Sequence, residues 1–176
     1  NILIGNVGRL SEQKGMEYFI DAAEITIKKH SNVRFFIVGD GELKDELINR
    51  VKEKHLENLI QFLGYRSDIQ NTMKQFDFVV LSSLWEGLPL TPIEAFSVGK
   101  TVIGTSVDGT PEIIEDKENG LLVNAKDVRQ LSDAMNILIE DENLRKELEV
   151  NAKKCYMEEF SFDKLAKEYR DYYGRL

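Results

Sequence analysis

Cysteine is almost missing from these 176 residues. Cys155 stands alone, so no intrachain disulfide can form, and the chain suits a reducing compartment. Histidine is nearly as scarce: His30 and His55 lie 25 positions apart with no third ligand near either, which argues against a structural zinc site. No apolar run approaches the roughly 20 residues needed to span a bilayer, and no signal-peptide pattern opens the chain. Cations are in deficit, with 23 Lys and Arg against 31 Asp and Glu for a net charge of −8. An acidic surface repels a phosphate backbone, so nucleic acid is an unsuitable partner. A small phosphate ligand stays open, because a local cationic cluster can oppose the global sign.

What is present is an ordinary soluble composition, 42% hydrophobic and 31% charged, with enough length for one cored domain. The opening stretch NILIGNVGRL begins directly in a strand-like run with no initiating Met, which reads as a piece of a longer protein. Short apolar runs at 2–9, 33–39, 76–83 and 101–106 are rich in Val, Ile and Phe and apolar on both faces, as buried parallel strands must be. Weaker strands fall at 59–64 and 120–125.

Amphipathic stretches lie between them. Met16, Phe19, Ile20, Ala23 and Ile27 form one helical stripe; Leu43, Leu47, Ile48 and Val51 form another. Residues 66–75, 91–98, 110–115 and 127–139 complete the alternation, and only helical patterns follow residue 140. Ser161 suits an N-cap for the last of these, with Phe162, Leu165, Ala166 and Tyr169 as its packing stripe. The order predicts an α/β fold: a Rossmann-like, doubly wound parallel sheet of about six strands with helices on both faces. Residues 1–176 form one domain, with 156–176 as a C-terminal helical segment.

Ligands of such sheets bind beyond the carboxyl ends of the strands, where helix N-termini gather. That singles out loops 8–15, 39–42, 64–67, 82–91 and 105–111. In GRLSEQKG, Arg9 and Lys14 flank a turn into a helix. Two cations there oppose the helix dipole, so they are either solvated surface charges or the partners of an anion. In VGDGELKDEL, Gly39 and Gly41 start a dinucleotide fingerprint, but Lys44 stands where its third glycine belongs, and Gly64-Tyr65 stands where an acid should follow the next strand. Tight turns and helix capping explain these glycines better than a nicotinamide cofactor. Gly-Lys-Thr at 99–101 follows a helix and enters a strand, the reverse of a P-loop.

WEGLPLTPIEAF, residues 85–96, carries two glutamates with seven residues between them. Thr91, Pro92 and Glu94 read as N-cap, N1 and N3 of a short helix ended by Gly99. That leaves Glu86 unexplained beside Gly87, where backbone can approach a ligand. A carboxylate accepts hydrogen bonds from paired hydroxyls, as on a sugar or ribose. Free amides of 88–91 point toward any phosphate at the helix start.

GRLSEQKG, VGDGELKDEL, FLGYRSDI and SSLWEGLPLTPIEAFSVGKTVIGTSVDGTPEIIEDKENGLLV occur in an order and spacing that resemble the C-terminal, donor-binding domain of the retaining glycosyltransferases of family four, with the GT-B fold. The likeness runs from residue 5 to about 173, and the glutamate pair resembles that family's Glu-x7-Glu signature. Thr101 departs from the proline common there, a change in a turn. Glu112 matches a frequent family position but also suits a first-turn carboxylate.

The resemblance implies roles. Arg9 and Lys14 would bind the diphosphate of a nucleotide sugar, Glu94 the ribose hydroxyls and Glu86 the donor sugar. Gly87, Leu88, Pro89, Leu90 and Thr91 would shape the loop and helix start over phosphate and sugar. Tyr65 and Arg66 would lie along the base, and Gly8, Gly39 and Gly41 would line the cleft floor. No Asp-x-Asp occurs in these loops, so the reading expects no metal and no cofactor beyond the nucleotide-sugar substrate. It implies an N-terminal acceptor domain outside this chain as partner, and hexosyl transfer to a glycan or lipid in polysaccharide assembly. It also implies a cytoplasmic setting, at the inner membrane face where the absent part makes peripheral contact. The rivals are a non-catalytic nucleotide-binding or interaction domain, and a sugar-nucleotide epimerase or phosphorylase of related fold.

Overall fold

A computed structural model describes residues 1–173. Six parallel strands run β1 (Ile2–Val7), β2 (Val33–Val38), β3 (Ile60–Gly64), β4 (Phe78–Leu81), β5 (Val102–Thr105) and β6 (Gly120–Val123). Their order across the sheet is β3-β2-β1-β4-β5-β6. Every pairing is parallel. The order reverses between β1 and β4, the topological switch of a doubly wound sheet. β4 and β5 are buried at every position, as their unbroken apolar runs demand.

Helices α1 (Met16–Lys29), α2 (Lys44–Glu53) and α5 (Val128–Glu140) cover one face around Phe19, Phe35 and Phe78. Helices α3 (Ile69–Met73), α4 (Leu90–Ser97) and part of α6 (Glu142–Cys155) cover the other around Phe96, Val79 and Ile114. Gly99 ends α4 at φ 73°, with its N–H on Phe96 O, as a C′ glycine should. Thr101, the family-atypical residue, donates its hydroxyl to Asn119 O at 3.0 Å and is fully buried.

Several expectations are corrected. Residues 66–75 hold only the five-residue α3. Residues 110–115 form one 3-10 turn, Thr110–Glu112, not a helix. There the Asn119 side chain accepts Glu115 N–H and donates to Ile113 O, which diverts the backbone from helical bonding and turns Ile113 and Ile114 into the core. Helix α4 starts at Leu90 with Pro89 as N-cap, so Thr91 does not cap and Glu94 is the fifth helical residue rather than N3. The last helix, α7 (Phe162–Tyr173), follows a π turn at Tyr156–Phe160 and takes Ser161 as its cap, through Lys164 N–H to Ser161 Oγ at 3.3 Å. Its expected packing stripe lies bare: Phe162, Leu165 and Tyr169 are 77%, 50% and 56% exposed.

Candidate functional site

The carboxyl ends of β1 and β4 bring two loops into contact. After β1, residues Glu12–Lys14 make a 3-10 turn and Gly15 takes φ 54° before α1 begins. A Cβ at Gly15 would lie 2.3 Å from Ser82 O, so glycine lets this turn press against the end of β4. Three bonds stitch the loops: Ser82 Oγ donates to Lys14 O at 3.0 Å, Leu84 N–H to Gln13 O at 2.8 Å and Gln13 Nε2 to Trp85 O at 3.1 Å. Beneath them the buried Asn6 of β1 donates Nδ2 to Ser82 Oγ at 3.0 Å.

This stitching places Lys14 Nζ 2.6 Å from Glu86 Oε1. Ser83 Oγ donates to the same oxygen at 2.6 Å. The pair is well shielded, with side chains 17% and 5% exposed. The aliphatic stem of Lys14 lies over Gly8, within 3.3 Å of where a Cβ would stand. Arg9 sits differently. Its partner is Glu42 at 3.3 Å, and both side chains are mostly exposed. Each already faces a carboxylate, so Lys14 and Arg9 do not form an unpaired cationic couple.

Next to Lys14 opens a cavity of about 450 Å³. Its floor is Gly8 and Gly39, its walls Arg9, Tyr65, Arg66 and Glu94. Gly39 is required there: at φ 139° a Cβ would lie 1.9 Å from Gly8 O. Gly41 stands behind the floor, packed on Leu10 O. Arg66 is pinned by two 2.9 Å bonds to Asp68. Burial pushes the Glu94 carboxyl above its ordinary range, with no cation among the causes. Glu94 sits two residues deeper in α4 than the expected N3 position, beyond the strongest reach of the dipole.

The remaining candidate residues lie outside the cavity lining. Pro89 at the N-cap offers no side-chain cap, so the first amides of α4 lack a side-chain partner. Gly87, Leu88 and Leu90 are exposed; Thr91 is buried and donates to Val7 O at 3.4 Å, tying α4 to the end of β1. Glu112 is exposed on its 3-10 turn. The sequence reading gave no role to Asp40, Ser67 and Ile69 of the cavity wall, or to Ser83 and Asp108 behind Glu86, although all but Ile69 lie in the loops it singled out. The Asp108-Gly109 dipeptide was a legible turn signal. Among the described residues no group of three or more His, Cys, Asp or Glu side chains is placed to hold a metal ion. No described helix is long and apolar enough to cross a membrane.

Together the strand order, the glycine-floored crevice at its reversal and the uncapped helix start define a Rossmann-like α/β domain with its ligand cleft outside the carboxyl ends. The chain belongs to the glycosyl transferases group 1 family, whose model matches residues 1–155. An Anabaena protein, Alr3699/HepE, solved in complex with UDP, superposes with a TM-score of 0.92 at 28% identity, over 100% of this chain and 49% of that one. The C-terminal domain of a glycosyl transferase group 1 family protein (LpcC) from Francisella tularensis is 32% identical, with a TM-score of 0.85, over 92% of this chain and 87% of that one. An Escherichia coli UDP-Gal:alpha-D-GlcNAc-diphosphoundecaprenol alpha-1,3-galactosyltransferase is 36% identical over 85% of this chain and 38% of its own length. The fold is thus the C-terminal half of a GT-B architecture, and the chain spans 34% to 48% of the length of the curated relatives it matches.

Proposed function

We propose that this chain is the donor-binding half of a retaining glycosyltransferase that takes a sugar from a nucleoside diphosphate. The observation that carries the reading is one crevice lined by Arg9, Arg66 and the Glu94 carboxylate, with Lys14 packed over its Gly8 floor. Paired ribose hydroxyls suit Glu94 as an acceptor. Diphosphate suits Arg9, Lys14 and the α4 amides. An ammonium has three N–H donors, so Lys14 can keep Glu86 and still donate to a phosphate oxygen. Fixed positive potential there would stabilise negative charge on the departing diphosphate, without a metal ion. Glu86 would then accept from sugar hydroxyls in a cleft closed by an acceptor domain outside this chain. The bare apolar stripe of α7 suits contact with that domain. The cellular setting that fits is cytoplasmic, at the inner membrane face, in assembly of a glycan or glycolipid.

A calorimetric titration of the chain with UDP, GDP, ADP and their sugars tests this. UDP comes first, since the Anabaena neighbour holds it. We expect one nucleotide series to bind, with Lys14→Ala and Glu94→Ala each weakening it about tenfold, and no sugar transfer by the chain alone. Binding that ignores both substitutions would point to a non-catalytic nucleotide domain, and robust turnover would refute the need for the acceptor domain.

A further inference from the structure

Glu86 is held from two sides, and one holder is a residue to which the sequence reading gave no role, although it lies in the 105–111 loop. Asp108, in the loop after β5, accepts the Glu86 backbone N–H on Oδ2 at 2.8 Å. The neighbouring residue fastens the same loop: Gly109 N–H donates to Gly87 O at 3.1 Å. A Cβ on Gly109 would lie 2.1 Å from that oxygen, so the two loops touch through bare backbone. The side-chain end of Glu86 is fixed separately, by Lys14 and Ser83 on Oε1. Among the described residues nothing bonds its Oε2.

Asp108 takes φ 40°, where a side chain is strained and glycine is at ease. The strain is offset by what glycine lacks, a side-chain acceptor. Its charge is no advantage to an anionic ligand, since a carboxylate beside a diphosphate repels it. The useful property is therefore the acceptor oxygen.

We propose that Asp108 is a positioning residue for the donor sugar. By holding the Glu86 backbone N–H it fixes the Glu86 carboxylate, so that Oε2 faces the sugar hydroxyls while Oε1 stays with Lys14 and Ser83. The inference rests on the reading of the crevice as a nucleotide-sugar site. Without this bond the two loops keep only the Gly109 N–H to Gly87 O tie, one residue beyond Glu86.

The test compares wild type, Asp108→Gly and Asp108→Asn by calorimetry with UDP, UDP-glucose, UDP-galactose and UDP-N-acetylglucosamine. The quantity read is the sugar increment, the ratio of the Kd for UDP to that for the best UDP-sugar. Asp108→Gly relieves the strained backbone, so it should fold at least as stably as wild type. It should bind UDP with the wild-type Kd, yet lose the increment by about tenfold. Asp108→Asn keeps an acceptor oxygen at a backbone angle Asn tolerates and should restore it. The proposal is overturned if Asp108→Gly keeps the increment, if it weakens UDP and UDP-sugar alike, or if Asn rescues no better than Gly. A wild-type chain that binds UDP but gains nothing from any sugar sinks this inference alone. One that binds no nucleotide of any base sinks the functional reading beneath it.

Discussion

Replacing Lys14 with Met tests whether the shielded ion pair organises the crevice. Methionine keeps most of the stem that lies over Gly8 and removes the ammonium. Glu86, 5% exposed at its side chain, would be left with the Ser83 hydroxyl as its side-chain donor. Breaking a buried pair on one side typically costs about 3–5 kcal/mol. The 17% exposure of Lys14 gives the stranded carboxylate some access to cleft water, so we expect about 2 kcal/mol. For a chain of this length that is a fall in Tm of about 4–8 °C. Arg9→Met is the control: its pair with Glu42 is mostly exposed and should be worth about 0.5 kcal/mol or less. Urea unfolding followed by circular dichroism at pH 7 reads both, alongside Glu86→Gln and the double variant Lys14→Met/Glu86→Gln. Removing both charges takes away the stranded carboxylate, so the double variant should recover about 1–2 kcal/mol of the summed single losses. The reasoning fails if Lys14→Met costs no more than Arg9→Met, or if the cycle is additive to within about 0.5 kcal/mol.

Two further outcomes follow from the crevice. Because burial raises the Glu94 carboxyl, the folded chain holds that proton at pH values where the unfolded chain has released it. Its contribution to stability is full below the ordinary carboxylate range and is lost as pH rises through the raised folded value. Glu94→Gln should therefore be more stable than wild type at neutral pH, with the difference closing toward pH 4; a difference independent of pH would contradict the burial argument. Gly39→Ala, whose Cβ would meet Gly8 O at 1.9 Å, should cost about 3 kcal/mol or more by denaturant unfolding. Gly87→Ala, with open space around it, should stay within about 0.5 kcal/mol of wild type; equal effects at the two glycines would refute the close-packed floor.

Much of the fold was legible because burial on both faces leaves a plain mark. The runs at 2–9, 33–39, 76–83 and 101–106 contain β1, β2, β4 and β5, and no amphipathic alternative explains four short runs of Val, Ile and Phe. The weaker pattern at 59–64 belongs to β3, an edge strand whose side chains alternate between buried and open. Where a side chain competes with the backbone, local pattern misled: Asn119, a few residues further on, undoes the helix expected over 110–115. The start of α4 misled too, since Thr91-Pro92 has the chemistry of a cap, yet the chain enters the helix two residues earlier and spends the Thr91 hydroxyl on Val7 O.

The amino-acid order by itself determined a parallel α/β sheet and placed Gly8, Gly39 and Glu86 in loops at its carboxyl end and Glu94 in the helix after β4, because periodicity and turn chemistry are local properties. Tertiary structure alone decided which charges meet. Lys14 and Glu86 stand 72 residues apart, Asp108 and Glu86 22 apart, and only the crossing of strand order at β1 and β4 brings the first pair together. The same holds for Glu94, whose proton affinity follows from what buries it, a quantity no neighbour in the chain encodes.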